Sequence, residues 1–142
     1  MPLNTSPIFV GTPHNEFPHA DGDGGASGAL KTQNTNVDGT GTLLTLWTAT
    51  ANGGVIDMTT LRPAGTNVLT VARFFIYDGT NTNLIDEFTL NATTASSTQA
   101  LQPYIWTPPG GVRRMQANHK LKMTIGTTVA AGYFMGTYGG DF

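Results

Sequence analysis

Residues able to do chemistry are few in this chain and loosely grouped. His14, Glu16, His19, Asp21 and Asp23 fall within ten positions, and such a density of imidazole and carboxylate groups could hold a hard cation with help from loop carbonyls. Asp21-Gly22-Asp23-Gly24 opens like a calcium loop. The glycine required at its sixth place and the glutamate at its twelfth are instead Ala26 and Thr32. A solvated turn rich in Asp and Gly fits better, and no metal is expected there. Nucleophiles fare no better: Ser6, Ser27, Ser96 and Ser97 stand in no Gly-x-Ser-x-Gly elbow. His119, the one histidine beyond the N-terminal segment, lies between Asn118 and Lys120 in what reads as a hairpin turn. Asp86 and Glu87 are adjacent, and neighbours on a strand point to opposite faces, so the two cannot flank one bond. The glycine-rich runs lack the Gly-Lys-Ser/Thr of a phosphate loop. Catalytic residues, cofactors and enzyme activity are therefore not expected.

Two further groups could bind. Arg113, Arg114, Lys120 and Lys122 hold four of the seven basic residues within ten positions. They could meet phosphate or an acidic partner, but no aromatic side chain interleaves them as single-stranded nucleic acid would require. A charged edge that resists unwanted strand pairing is the simpler reading. Trp47, Trp106, Tyr104 and Tyr138 could form a sugar-stacking platform, although aromatics on alternating strands more often belong to the core.

The elements that would carry these residues follow from composition and period. The chain has 142 residues, 39% hydrophobic and only 11% charged, with a net charge of −2 and no cysteine. Its polarity comes from 24 Thr, 18 Gly and 10 Asn, a mix that opposes helical bundles and charged disorder alike. There is no thiolate chemistry to consider. Neither a signal-like start nor an apolar run of membrane-spanning length is present. A near-neutral charge gives no general pull toward nucleic acid or anionic lipid, so neither direct nucleic-acid binding nor a membrane is expected.

Residues 1–41 contain four of the eight prolines and the run Asp21–Gly28, which together predict an extended, strand-poor arm. Ile8, Phe9 and Phe17 are its apolar anchors for a partner. From Thr42 the period becomes two. Strands are predicted over 42–50, 55–60, 68–77, 84–90, 104–106, 120–125 and 129–138, with Asn52-Gly53-Gly54 and Asp78-Gly79-Thr80-Asn81 as turns and Arg62–Asn67 as a loop. In the 68–77 strand, Leu69, Val71, Phe75 and Tyr77 are assigned one face; in the last strand, Tyr133 and Met135 oppose Phe134 and Tyr138. Strands at this spacing predict an all-β, antiparallel β-sandwich, jelly-roll-like, over 42–142 with the extended arm ahead of it.

Several motifs resemble those of a family of small tailed-phage and prophage proteins: Asn34-Thr35-Asn36-Val37-Asp38-Gly39-Thr40-Gly41-Thr42, Ala51-Asn52-Gly53-Gly54-Val55-Ile56-Asp57, Val71 through Asn81, and the ending Met135-Gly136-Thr137-Tyr138-Gly139-Gly140-Asp141-Phe142. The resemblance spans residues 34–142 and implies a virion structural role. A small β-domain with a long arm resembles capsid decoration, or cement, proteins. The expected partners are accordingly the major capsid protein and neighbouring copies of the chain, as a dimer or trimer. The expected location is the capsid surface after synthesis in the host cytoplasm. Ile8, Phe9, Phe17, Arg113, Arg114, Tyr138 and Phe142 are the candidate partner-binding residues. The alternatives are a tail, neck or baseplate/fibre component, with an adhesin-like or carbohydrate-binding sandwich.

Overall fold

Alternation of β-branched and aromatic residues with threonine favours pleated, half-buried strands, and the turns between them are set where positive φ costs nothing. Gly53 (φ 85°) and Gly79 (φ 98°) occupy such positions. The Gly53 N–H closes its turn onto the Thr50 carbonyl at 3.0 Å, and the Asp78 N–H closes the next onto Asn81 at 3.0 Å. The computed structural model of the chain describes residues 11–17 and 29–142. Among them are nine strands: β1 Thr12–Glu16, β2 Leu44–Thr48, β3 Gly54–Pro63, β4 Thr70–Tyr77, β5 Thr82–Leu90, β6 Tyr104–Trp106, β7 Arg113–Met115, β8 Lys120–Ile125 and β9 Tyr133–Asp141. All pair antiparallel. One sheet runs β1-β9-β3-β6, with β7 also on β3; the other runs β2-β8-β4-β5. The protein is an all-β sandwich.

Between the sheets lie Leu46, Trp47, Ile56, Leu61, Phe74, Trp106, Leu121, Met123, Ile125 and Tyr133, with others. Phe74 of one sheet stacks on Trp106 of the other, centroids 3.9 Å apart and planes 6° from parallel. The Trp106 Nε1–H donates to Asp86 Oδ2 at 2.7 Å, closing the flank where edge strands β5 and β6 meet. Buried Thr59 and Thr137, paired across β3 and β9, share a hydroxyl–hydroxyl bond of 2.9 Å. Buried Asn67 ties loops together: its Oδ1 accepts from Ala131 and Gly132 N–H at 2.9 and 2.8 Å, and its Nδ2 donates to the Gly132 carbonyl at 2.9 Å.

Four sequence readings change. The strand-poor arm contains β1, which pairs with β9 from Thr12↔Asp141 to Glu16↔Thr137. Leu30 then returns to the same strand opposite Tyr133. Arg62 and Pro63, read as loop, are the end of β3, with Pro63 at the terminus where it loses no ladder bond in a strand interior. Arg113–Met115 is an additional strand that sits on the same edge of β3 as β6. Pro108-Pro109-Gly110-Gly111 lies between the two, and a proline pair without N–H groups cannot continue a ladder. In β4 the inward residues are Ala72, Phe74 and Ile76. Leu69 is 59% exposed instead, while Phe75 is fully buried outside the inter-sheet cluster.

Candidate functional site

The outer face of the β1-β9-β3-β6 sheet collects most of the candidate partner-binding residues. Tyr133, Met135 and Thr137 of β9 are buried inward, so the alternate residues face out. These read Phe134, Gly136, Tyr138, Gly140 and, just past the strand, Phe142. Aromatic rings thus alternate with glycines along one strand. Gly136 leaves a slot that Phe17 fills: a Cβ there would lie 2.8 Å from Phe17 Cε1. Phe17 meets Tyr138 edge to face, centroids 5.8 Å apart at 86°, a favoured arrangement of ring quadrupoles. Phe17 is nevertheless 60% exposed and Phe134 43%. With Arg62 and Pro103 they border a shallow cavity of about 270 Å³. At the other end of the strand, the Arg114 guanidinium lies 5.6 Å from the Phe142 ring centre.

The fold therefore gathers Phe17, Arg114, Tyr138 and Phe142 on one sheet. Arg113 is separated from Arg114 by the pleat: it shares parity with buried Met115, and its Nε is buried with no acceptor among the described residues. Lys120 and Lys122 belong to the opposite sheet, where Lys122 Nζ sits 4.9 Å from the Tyr77 ring centre. The four clustered cations of the sequence thus form no common basic patch. Ile8 and Phe9 lie outside the described residues, as do His19, Asp21 and Asp23. Arg62 and Phe134 were not singled out by sequence reasoning, although the parity of Phe134 with Tyr138 would have placed it.

His14 and Glu16 come together with Asp141. His14 Nδ1 is 2.9 Å from Asp141 Oδ1, and its Nε2 is 3.0 Å from Glu16 Oε1. Glu16 Oε1 also accepts the Thr48 N–H at 3.1 Å, and the imidazole packs 5.0 Å from Trp47. The two ring nitrogens point to different carboxylates, so the three side chains converge on no shared vertex. Among the described residues no group of three such side chains could hold a metal ion. The cluster fastens β1 across to β9 and to edge strand β2, closing the second flank of the sandwich.

His119 sits half-buried in the turn between β7 and β8, which crosses from one sheet to the other, so it is not in a hairpin. Its carbonyl accepts the Ala49 N–H at 2.9 Å. The Asp78 carboxyl is held below its ordinary pKa by the Asn81 and Thr80 N–H groups, with a smaller attraction from His119. Asp86 and Glu87 diverge as expected, to Trp106 and to Arg73. Trp47 and Trp106 are 0% and 2% exposed; this removes the main support for a sugar-stacking platform.

No protein-family model matches the chain, and no curated protein matches it at significant similarity.

Proposed function

We propose that the chain is a bacteriophage virion structural protein, a capsid decoration protein that binds the major capsid protein lattice and neighbouring copies of itself. The observation that carries the reading is the aromatic–glycine face of β9. It is built by the same C-terminal segment, Met135–Phe142, that resembles the tailed-phage proteins. A broad, shallow, aromatic surface flanked by Arg62 and Arg114 suits a repeated protein lattice better than a small molecule, which is held in a deeper, enclosing pocket. Aromatic anchors lose little side-chain entropy on docking. A low affinity per copy suffices when many copies bind a symmetric shell side by side. In this reading Phe17, Phe134, Tyr138 and Phe142 contact the partner and Arg114 holds the Phe142 ring. The role is structural, with no reaction.

The test is the copy number of the chain on purified particles separated into tail-free heads and tails. Hundreds of copies on heads, reduced in an F17A/Y138A double variant whose fold is intact, are expected. Copies confined to tails or necks would reassign the same face to a tail component. Absence from both fractions overturns the structural role.

A further inference from the structure

The register of three strands shapes the shallow cavity on the β9 face. Phe134 lies opposite Arg62, Gly136 opposite Thr60 and Tyr138 opposite Met58, and Ile105 of β6 continues the Gly136–Thr60 row. The small residues of that middle row leave a trough across the sheet, walled by Phe134 and Arg62 on one side and by Tyr138 and Met58 on the other. Phe17 closes one end, and Ile105, 58% exposed, lines the other. The trough is thus mostly apolar, with one cation at its rim. Arg62 is exposed and has no ion-pair partner among the described residues.

A complementary feature stands on the other sheet. The loop 34–42 rests against the end of β8 and the start of β5. The Asn34 N–H donates to the Ile125 carbonyl at 2.8 Å, and a Cβ on Gly39 would lie 2.7 Å from Thr82 Cβ. The loop is braced from within: Asn34 Nδ2 donates to the Thr40 and Thr42 carbonyls at 2.9 and 3.0 Å. The Thr40 N–H and hydroxyl both donate to Asp38 Oδ1, and Oδ2 is unengaged among the described residues. Val37, beside it, is 54% exposed. Of the large apolar side chains exposed among the described residues, Val37 alone neighbours an exposed carboxylate.

We propose that the Val37–Asp38 loop of one copy docks into the Arg62 trough of the next, a contact that rests on the reading of this face as an interface and identifies the self-contact within it. Val37 enters between Phe134 and Tyr138, over Gly136 and Thr60, and Asp38 Oδ2 accepts from the Arg62 guanidinium. A loop already ordered loses little freedom on docking. Trough and loop lie on opposite sheets, so two copies cannot make the contact mutually. It is head-to-tail, and it builds a ring or a row. A single loop supplies fewer residues than the roughly 20–30 a side of a standard interface. The contact is therefore weak alone and gains from a shell that holds copies side by side.

The experiment is sedimentation of the purified full chain without particles, which keeps its result separate from the count of copies on heads. The parent is expected to associate with a Kd of about 1 mM or tighter. R62E sets a carboxylate against Asp38 and should weaken association about fivefold. V37N removes the apolar anchor and should weaken it about tenfold. An equimolar mixture should recover the parent's affinity but stop at one dimer, because V37N still offers an intact trough and R62E an intact loop. That recovery also shows both variants to be folded. A parent that stays monomeric at about 1 mM, or either variant associating as the parent does, would overturn the proposal. So would a mixture no better than its components, the result expected if two troughs pair with each other.

Discussion

The edge of β9 permits a prediction that turns on a single residue of register. Glu16 lies opposite Thr137 and Leu30 opposite Tyr133, both on the edge of β9 away from β3. Fourteen steps of chain separate Glu16 from Leu30, but four steps of β9 separate their partners. The connection therefore carries ten residues more than a continuous strand would. Excising Pro18–Ser27 should let Thr12–Leu30 run along β9 in one register. Ten is even, so Leu30 keeps the parity of His14 and Glu16 and stays in the inter-sheet core, where it is 8% exposed. Loop-closure entropy favours the shortened chain by about 1 kcal/mol. Ordering the joined residues offsets part of that, so unfolding free energy in urea should stay within about 1 kcal/mol of the parent. Excising only Pro18–Ala26 leaves an odd excess and turns Leu30 outward unless a bulge absorbs the slip. Exposing a leucine costs about 1.5–3 kcal/mol, a fall in Tm of about 2–4 °C per kcal/mol at this size. Equal stability of the two variants, or a loss above about 2 kcal/mol in the ten-residue excision, would refute the register argument.

Other consequences follow from single contacts. Asn67→Ala strands the Ala131 and Gly132 N–H groups in a buried site; at about 1–3 kcal/mol each, urea unfolding should register a loss of about 2–5 kcal/mol. Gly139→Ala would drive a methyl into the Val55 carbonyl oxygen, costing about 2–3 kcal/mol by the same measurement, whereas Gly79→Ala, strained only by its positive φ and with no neighbour within 4 Å, should cost about 1 kcal/mol. Burial, aided by Tyr104, pushes the Tyr133 phenol up from 10.0 to about 12. The unfolded chain then loses that proton first, so this contribution is intact below pH 10 and is lost as pH rises to about 12, some 2–3 kcal/mol in all. Tyrosinate absorbance in the parent minus Y133F should emerge only near pH 12.

What could be read from sequence depended on whether one strand face was plainly wetter than the other. β8 was clear because Leu121, Met123 and Ile125 alternate with Lys120, Lys122 and Thr124, and the first three line the inter-sheet core while the lysines stay partly exposed. β4 was not, because Phe74, Phe75 and Ile76 supply apolar residues to both parities and small Ala72 hides which one is inward. A bulge between Phe74 and Phe75 shifts the pairing with β5 as well, and period counting cannot see a bulge. β1 and β7 are short and polar. Their strand form comes from partners more than fifty residues away in the chain, a tertiary effect that overrides local propensity. The aromatic face was half visible: Phe17, Tyr138 and Phe142 were singled out as separate residues, but their convergence requires β1 to lie beside β9.

That dependence makes the aromatic face a composite whose integrity can be lost without touching it. Phe17 reaches its slot over Gly136 only while β1 remains paired, and β1 is a five-residue edge strand held on its inner side by His14. His14→Ala leaves the Glu16 and Asp141 carboxylates facing one another across the vacated ring and removes the packing on Trp47. The groups are about one-fifth to one-quarter exposed, which moderates the loss to about 1 kcal/mol. Hydrogen exchange of the β1 amides should accelerate about fivefold, with β3 and β9 protection at their mutual ladder unchanged. Phe17→Ala should leave β1 exchange close to the parent while weakening attachment to particles. If β1 exchange in His14→Ala matches the parent, the clasp is not what holds the strand; if both variants attach to particles as the parent does, the face is not where the partner sits.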